Sequence, residues 1–142
     1  MRVFLDANVI FSAALDSGSA LRTFFRLADT GVCALIASPI VLDEARRNIA
    51  RKQPAKIADL EQLISRLAIC LEATPADVRW AHSTGLPDKD APILAAAAQA
   101  KAEMLVTGDR ADFGSLYGRK LRGVEILTPR TALERILDAK GR

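Results

Sequence analysis

The sequence predicts an α/β domain built on a twisted, mostly parallel sheet flanked by helices in three layers. Short apolar runs typical of buried parallel strands alternate with helical segments along the whole chain. Strands separated by helices favour parallel pairing through right-handed crossovers. The 142 residues contain no repeat, linker or low-complexity segment, and their number is usual for one domain. We therefore expect a single domain over residues 1–142.

The first half of the chain is predicted to hold three strands and four helices. The apolar run at 2–5 forms the first strand, and a helix at 7–14 ends before the loop at 16–19. A second helix, 20–30, has apolar residues at helical spacing and stops at Gly31. The next strand is 33–37, and Ser38-Pro39 marks the start of a helix over 39–52. A helix at 55–67 and a short strand at 68–71 follow.

The second half is predicted to continue the alternation. A short helix covers 75–83, a loop contains Gly85 and Pro87, and an alanine-rich helix covers 91–101. The strand at 103–107 closes at Gly108. A last strand at 124–127 precedes a helix over 130–139, which Thr128-Pro129 opens.

Composition indicates an ordinary folded protein. Half of the residues are hydrophobic and 26% are charged, which argues against disorder, while 5% aromatics predict a core of Leu, Ile, Val and Ala. No apolar run approaches the roughly 20 residues that span a bilayer. Asp6 interrupts the apolar N-terminus, which therefore does not read as a signal peptide. We expect a cytoplasmic protein without a membrane partner, in which Cys33 and Cys70 are reduced and buried, because their spacing matches no metal or redox motif.

Acidic residues concentrate where the predicted strands end. In open α/β sheets, ligands bind in the crevice outside the carboxyl ends of the strands. Acids follow the first strand, lie one turn into the helix after the second strand, open the alanine-rich helix and follow the strand at 103–107. They are Asp6, Glu44, Asp88, Asp90, Asp109 and Asp112.

Each acid also has a structural explanation. Asp6, Asp88 or Asp90 could cap a helix, Asp109 could be a turn residue, and Glu44 could face water. Acids from four chain segments are expected to meet at one place, which favours a functional role over four separate structural ones. Clustered carboxylates raise one another's pKa unless a cation neutralises them.

A hard divalent cation suits such a cluster. Carboxylate oxygens favour Mg²⁺ or Mn²⁺, and the single histidine, His82, excludes a histidine-rich zinc site. Such an ion polarises a phosphate and lowers the pKa of a water. The sequence therefore points to phosphate chemistry.

Nearly the whole chain resembles PIN-domain nucleases, in particular bacterial VapC-like toxins of toxin–antitoxin systems. The resemblance rests on VFLDANVIFSA, SPIVLDEARRNI, LPDKDAPILAAAAQAKAEMLVTGDRADF and VEILTP. It implies a PIN-like fold, dependence on Mg²⁺ or Mn²⁺, cleavage of single-stranded RNA, a cognate antitoxin and a homodimer. Ala7 stands where Thr or Ser is common in the family, so one hydroxyl is absent.

The resemblance also assigns roles to residues. It places the catalytic acids at Asp6, Glu44, Asp90 and Asp109, with Asp6, Asp90 and Asp109 as metal ligands. Asp43 beside Glu44 leaves the second position open, although the apolar pattern and the family register favour Glu44. Supporting residues are Asn8, Thr107, Asp112 and Asp88.

A group of basic residues has two interpretations. The net charge is +3, a weak bias toward polyanions. The basic residues could form a solvated face, or a phosphate track that leads RNA past the acidic centre without reading its sequence. The track would comprise Arg46, Arg47, Arg51, Lys52 and Arg110.

The remaining aromatic and histidine residues have mainly structural interpretations. Trp80 is expected to pack in the core or on a helix rather than stack on a base, and His82 to be structural rather than a general acid. Phe24 and Phe25 fit packing, although the pair could contribute to a dimer surface.

Two other functions fit parts of the pattern. Receiver and aspartyl-phosphatase domains also place an aspartate after the first strand, but Asn8 replaces the second aspartate of the phosphatases. The early acidic pair and late lysine of receivers are not evident either. A PIN-like domain that binds RNA or protein without cutting is the stronger alternative, but such a domain has no electrostatic reason to keep mutually repelling carboxylates.

Overall fold

The computed structural model describes residues 1–141 and has a six-stranded sheet as its centre. The strands are β1 Arg2–Leu5, β2 Ala34–Ala37, β3 Ala68–Ile69, β4 Met104–Val106, β5 Lys120–Leu121 and β6 Val124–Leu127. The helices are α1 Ala7–Leu15, α2 Arg22–Asp29, α3 Pro39–Lys52, α4 Ile57–Ile64, α5 Pro75–Ser83, α6 Ala91–Gln99, α7 Arg110–Phe113 and α8 Pro129–Lys140. The predicted α/β class is confirmed.

The order of the strands places β1 and β4 at the middle of the sheet. The order is β3-β2-β1-β4-β6-β5, and every pair is parallel except β5 with β6. Val3 pairs with Leu35 of β2 on one side and with Met104 of β4 on the other. The chain moves outward from β1 to β3 and then returns to β4. This reversal opens a crevice at the carboxyl ends of β1 and β4, where ligands bind in such sheets.

The helices form two groups, as right-handed crossovers require. The connections from β1 to β3 run in one direction along the sheet, whereas the connection from β3 to β4 runs back, so their helices cover opposite faces. Consistently, α1, α3 and α4 contact one another, while α5 packs on α6. The last helix, α8, contacts β4 and β6.

The core is aliphatic, with a few phenylalanines at its centre. The buried residues are mainly Leu, Ile, Val and Ala, as predicted, and Phe4, Phe24, Phe25 and Phe113 are completely buried. The suggestion that Phe24 and Phe25 contribute to a dimer surface is therefore wrong. The amphipathic α2 places both rings inside the domain, where no second chain could reach them.

The predicted elements are all present, with differences at some ends. β3 has two residues instead of four, α2 begins at Arg22 instead of residue 20, and α4 covers 57–64 instead of 55–67. A 3₁₀ turn over Pro54–Lys56 precedes α4, consistent with a proline at its first position. Ser38 precedes α3 as predicted, but its hydroxyl makes no capping hydrogen bond.

One strand, β5, and one α-helix, α7, were not predicted. A hairpin joins β5 to β6 through Arg122 and Gly123, which have φ values of 47° and 81°. Two consecutive positive φ angles suit the tight turns that match strand twist, and glycine adopts them without strain. The other element is α7, a single turn that follows β4.

Neither a disulfide nor a membrane-spanning helix is found among the described residues. Cys33 and Cys70 are both free thiols, as expected; Cys33 is buried, whereas Cys70 is only partly so. Among residues 1–141, no helix combines the length and apolarity needed to cross a bilayer.

Candidate active site

Asp6 lies at the carboxyl end of β1 and is held by both of its carboxylate oxygens. Its Oδ1 accepts a hydrogen bond from the backbone N–H of Ala7 at 2.7 Å, which caps α1. Its Oδ2 accepts from the Thr107 hydroxyl at 2.8 Å and from the Asn8 amide at 3.3 Å. Only 4% of Asp6 is exposed. The capping interpretation of Asp6 is thus correct, but it accounts for only one of the two oxygens.

The pKa of Asp6 reflects this burial. Desolvation raises the pKa from its ordinary value of 3.8 to about 6. The hydrogen bonds from Thr107 and Ala7 oppose the rise, because they favour the charged form. The negative charges of Glu44 and Asp109 add to it. Asp6 is therefore costly to ionise in the metal-free protein and would be stabilised by a nearby cation.

Thr107 and Asn8 join the ends of β1 and β4. The completely buried Thr107 donates to Asp6, and its hydroxyl oxygen accepts from the backbone N–H of Asp109 at 3.1 Å. Asn8 donates to both Asp6 and Thr107, and its Oδ1 accepts from the N–H of Gly108 at 2.9 Å. A Cβ on Gly108 would lie 3.4 Å from that Oδ1. The polar residues predicted to support the acids thus connect them through hydrogen bonds.

Asp90 is buried at the start of α6 without acting as its cap. Only 5% of the residue is exposed, and its side chain makes no capping hydrogen bond. Within residues 1–141, Oδ2 of Asp90 is one of two buried side-chain polar atoms without a hydrogen-bond partner, Ser38 Oγ being the other. Desolvation raises the pKa of Asp90, and the nearby carboxylate of Asp112 raises it further. A buried carboxylate oxygen without a partner is costly unless a cation contacts it.

Asp109 and Asp112 approach Asp90 from the turn after β4. Oδ1 of Asp109 accepts from the backbone N–H of Asp112 at 3.0 Å and so caps α7. The Tyr117 hydroxyl lies 2.8 and 3.1 Å from the carbonyl oxygens of Thr107 and Asp109 and shares its single hydrogen between them, which holds the turn in place. Carboxylate oxygens of Asp90, Asp109 and Asp112 lie within 4.8 Å of one another.

This group fits a hard divalent cation. Mg²⁺ and Mn²⁺ prefer carboxylate oxygens as ligands, three carboxylates lie close together here, and one of them, Asp90, has a buried oxygen without a hydrogen-bond partner. Asp6 was expected as a ligand and Asp112 as support. The grouped oxygens belong to Asp90, Asp109 and Asp112, whereas both oxygens of Asp6 accept hydrogen bonds, so the role of Asp6 as a ligand stays a prediction.

Glu44, rather than Asp43, faces the acidic centre. Glu44 is half-buried, influences the pKa of Asp6 and lines a cavity of about 470 Å³. Asp90 and Asp88 line the same cavity. Asp43 is exposed on α3, where its charge acts on Arg46. The positions of the two side chains therefore favour Glu44 over Asp43 as the second acidic site residue, as the resemblance to the family suggested.

Lys89 is a site residue that the sequence did not identify. Its ammonium lies 2.8 Å from Oδ2 of Asp112 and 4.0 Å from Oδ2 of Asp90. It also lines the 470 Å³ cavity. The one available signal was its position between two acids in Asp-Lys-Asp, which does not reveal where a long, flexible side chain points.

The five basic residues of the predicted phosphate track occupy different surroundings. Arg47 lines the cavity, and Arg110 is exposed directly after Asp109. The others make contacts within the protein. Arg46 forms two hydrogen bonds with Glu61, Arg51 donates to Asn48, and Lys52 lies over the ring of Phe11.

Asp88 and His82 pair at the outer rim of the cavity. The side chain of Asp88 is almost fully exposed, and its Oδ1 lies 2.6 Å from Nε2 of His82. Trp80 is partly buried against the core, as expected. The guanidinium of Arg122 covers its ring at 4.0 Å from the centroid.

The sequence matches one known protein family over most of its length. The PIN domain family matches residues 2–111, which is more than three quarters of the chain and includes all four predicted catalytic acids. No curated protein matches the sequence.

Several solved structures share the fold at low sequence identity. PAE2754 from Pyrobaculum aerophilum has a TM-score of 0.69 and 16% identity, over 97% of this chain and 96% of that one. VapBC2 from Rickettsia felis, solved with a promoter DNA fragment, has a TM-score of 0.66 and 18% identity, over 90% and 98%. VapC20 from Mycobacterium tuberculosis, described as a sarcin-ricin loop cleaving toxin, has a TM-score of 0.55 and 13% identity, over 80% and 94%. These structures share the fold, and the family match over residues 2–111 shows that the chain belongs to the PIN domain family.

Proposed function

We propose that this protein is a metal-dependent endoribonuclease that cleaves single-stranded RNA. Two observations on Asp90 carry the proposal: its carboxylate lies with those of Asp109 and Asp112 in a group whose oxygens are within 4.8 Å of one another, and its Oδ2 is buried without a hydrogen-bond partner. The group lies at the carboxyl end of the central strands, where α/β sheets bind ligands. A binding domain without catalysis has no use for such an arrangement, which is electrostatically unfavourable without a cation.

Asp90, Asp109 and Asp112 would hold the ion, and the other residues have separate tasks. A bound Mg²⁺ or Mn²⁺ would polarise the scissile phosphate and promote ionisation of a water. Asp6, fixed by Thr107 and Asn8, adds negative charge beside the ion without moving. Glu44, on the wall of the cavity, would orient the attacking water and accept its proton.

The RNA would approach through the cavity. Arg47 on its wall and the exposed Arg110 beside Asp109 would contact phosphates and offset the negative charge of the site. Arg46, Arg51 and Lys52 complete the proposed track. Their contacts within the protein support a smaller contribution, since RNA would have to compete with those contacts.

We further propose that the protein is the toxin of a toxin–antitoxin pair and acts in the cytoplasm as a homodimer. The likeness to VapBC2 supports a cognate antitoxin, as do likenesses to FitAB bound to IR36 DNA and to VapBC-1 from nontypeable Haemophilus influenzae. The dimer surface must lie away from the buried α2 phenylalanines. A small neighbouring gene that encodes a DNA-binding protein would support this role.

The decisive experiment is cleavage of an unstructured RNA by protein first treated with EDTA. We expect no cleavage without metal, cleavage after addition of Mn²⁺ or Mg²⁺, and loss of cleavage in Asp90→Asn. Asp43→Asn is the matched control, because it makes the same chemical change at an exposed position on α3 and should retain activity. Circular dichroism and the melting temperature would establish that both variants fold.

Two results would contradict the proposal. RNA that binds but is not cut under any metal condition would favour a PIN-like binding domain. Cleavage that survives in a folded Asp90→Asn protein would place the chemistry elsewhere or expose a contaminating nuclease. For the toxin role, the test is expression in a bacterial host: growth should stop with the wild-type protein and continue with Asp90→Asn.

A further inference from the structure

Lys89 places a positive charge where the metal ion is expected. Its ammonium lies 2.8 Å from Oδ2 of Asp112 and 4.0 Å from Oδ2 of Asp90, both members of the carboxylate group. At 2.8 Å the ammonium of Lys89 and the carboxylate of Asp112 form a direct ion pair. In the metal-free protein, Lys89 therefore neutralises part of the charge of three carboxylates.

We propose that Lys89 is a built-in counter-cation of the carboxylate group, and that a divalent ion must displace its ammonium from Asp112 in order to bind. The inference rests on the metal site of the proposed function and adds a residue that controls its occupancy. Lys89 would thus hold Asp112 in position without metal and lower the affinity of the site for metal.

Sharing of Asp112 between the two cations is unfavourable. An ion bound to a carboxylate oxygen at about 2.1 Å lies less than about 5 Å from an ammonium that contacts the same oxygen. Like charges at that separation repel, and the repulsion is strongest beside the desolvated Asp90. One cation must therefore leave. Lys89 is the one displaced, because it contacts one carboxylate closely whereas a divalent ion would be held by several.

Displacement of Lys89 is structurally easy. Its side chain is 72% exposed, whereas that of Asp112 is 22% exposed, so the lysine can turn into solvent while the aspartate stays in place. Ion pairs at such exposed positions contribute little to stability. The long methylene stem reorients without any change in the backbone.

The test is a titration of Mn²⁺ into EDTA-treated full-length protein, followed by calorimetry or by the loss of the free Mn²⁺ signal in electron paramagnetic resonance. Lys89→Gln should bind Mn²⁺ about two- to fivefold more tightly than the wild type, since an exposed ion pair is worth up to about that factor. Lys89→Arg keeps the charge and should bind as the wild type does. Lys140→Gln in α8 is the matched control for loss of one exposed lysine charge.

A second readout uses the melting temperature. Without metal, Lys89→Gln should melt at a lower temperature than the wild type, because Asp112 and Asp90 lose their counter-charge. With saturating Mn²⁺ the difference should shrink, because Lys89 no longer contacts Asp112 in either case. A merely structural ion pair would give the same difference with and without metal.

The possible outcomes separate the two proposals. Equal Mn²⁺ affinity in Lys89→Gln, wild type and Lys140→Gln overturns the role of Lys89 but leaves the metal site standing. Weaker binding by Lys89→Gln also overturns it, because Lys89 would then help to hold the ion. If no variant binds Mn²⁺, the proposed metal site itself is wrong and this inference falls with it.

Discussion

Replacing Asp6 by asparagine should stabilise the metal-free protein at alkaline pH. The folded pKa of about 6 lies above the ordinary value of 3.8, so the folded protein holds a proton that the unfolded chain releases. Stability is therefore lost as pH rises through this interval, and above it the penalty is constant at about 3 kcal/mol. Asparagine cannot ionise, but it has only one acceptor oxygen and cannot accept hydrogen bonds at both positions of the carboxylate, which costs about 1 kcal/mol. The net gain at pH 8 is about 2 kcal/mol.

Urea unfolding in EDTA at pH 8 and pH 4.5 measures this effect. At pH 4.5 Asp6 is largely protonated in the folded protein, and the advantage of Asp6→Asn should fall by about 2 kcal/mol, to near zero. Asp43→Asn is the control, because Asp43 is exposed and its replacement should change stability little at either pH. A difference between Asp6→Asn and wild type that does not vary with pH would refute the reasoning. Clear destabilisation of the variant at pH 8 would show that helix capping outweighs the cost of the charge.

Three other substitutions test separate parts of the structure. Thr107→Val removes the hydroxyl that donates to Asp6, so the free energy of unfolding should fall by about 1–3 kcal/mol and RNA cleavage should decrease. Thr107→Ser should retain stability and cleavage, and equal behaviour of the two variants would exclude the hydrogen bond as the cause. Glu44→Gln should reduce cleavage at least tenfold without loss of Mn²⁺ binding, and the reverse ranking of Glu44→Gln and Asp43→Asn would show that Asp43 is the site residue. Phe25→Ala should lower the free energy of unfolding by about 3–5 kcal/mol in chemical denaturation, and a loss below 1 kcal/mol would mean that the ring is not a core residue.

Elements with a local chemical signal could be predicted from the sequence. Pro39 and Pro129 occupy the first turns of α3 and α8, and the Thr128 hydroxyl caps α8 by accepting from the backbone N–H of Thr131. The two-residue strand β5 and the four-residue α7 are too short to show a period, so they could not be recognised that way. The turn at Gly123 was the only local sign of the hairpin.

The sequence located the acidic residues of the site, but it did not indicate which of their carboxylates lie close together. Position after a strand or at a helix start placed Asp6, Asp90 and Asp109 in one crevice. Which oxygens converge depends on side-chain direction and on hydrogen bonds between segments far apart in the sequence. The sequence therefore did not indicate that Asp112 groups with Asp90 and Asp109, and Lys89 was missed, because nothing local fixes where its ammonium lies.

The hydrogen bond between Thr107 and Asp6 joins residues 101 positions apart. During translation Asp6 therefore emerges long before Thr107, and the carboxylate group is incomplete until the segment after β4 has left the ribosome. A nascent chain that ends before that point has no assembled site, whatever the metal concentration around it. If the protein cleaves RNA, the messenger and ribosome that produce it are thus exposed to the activity of finished chains but not to that of the chain under synthesis.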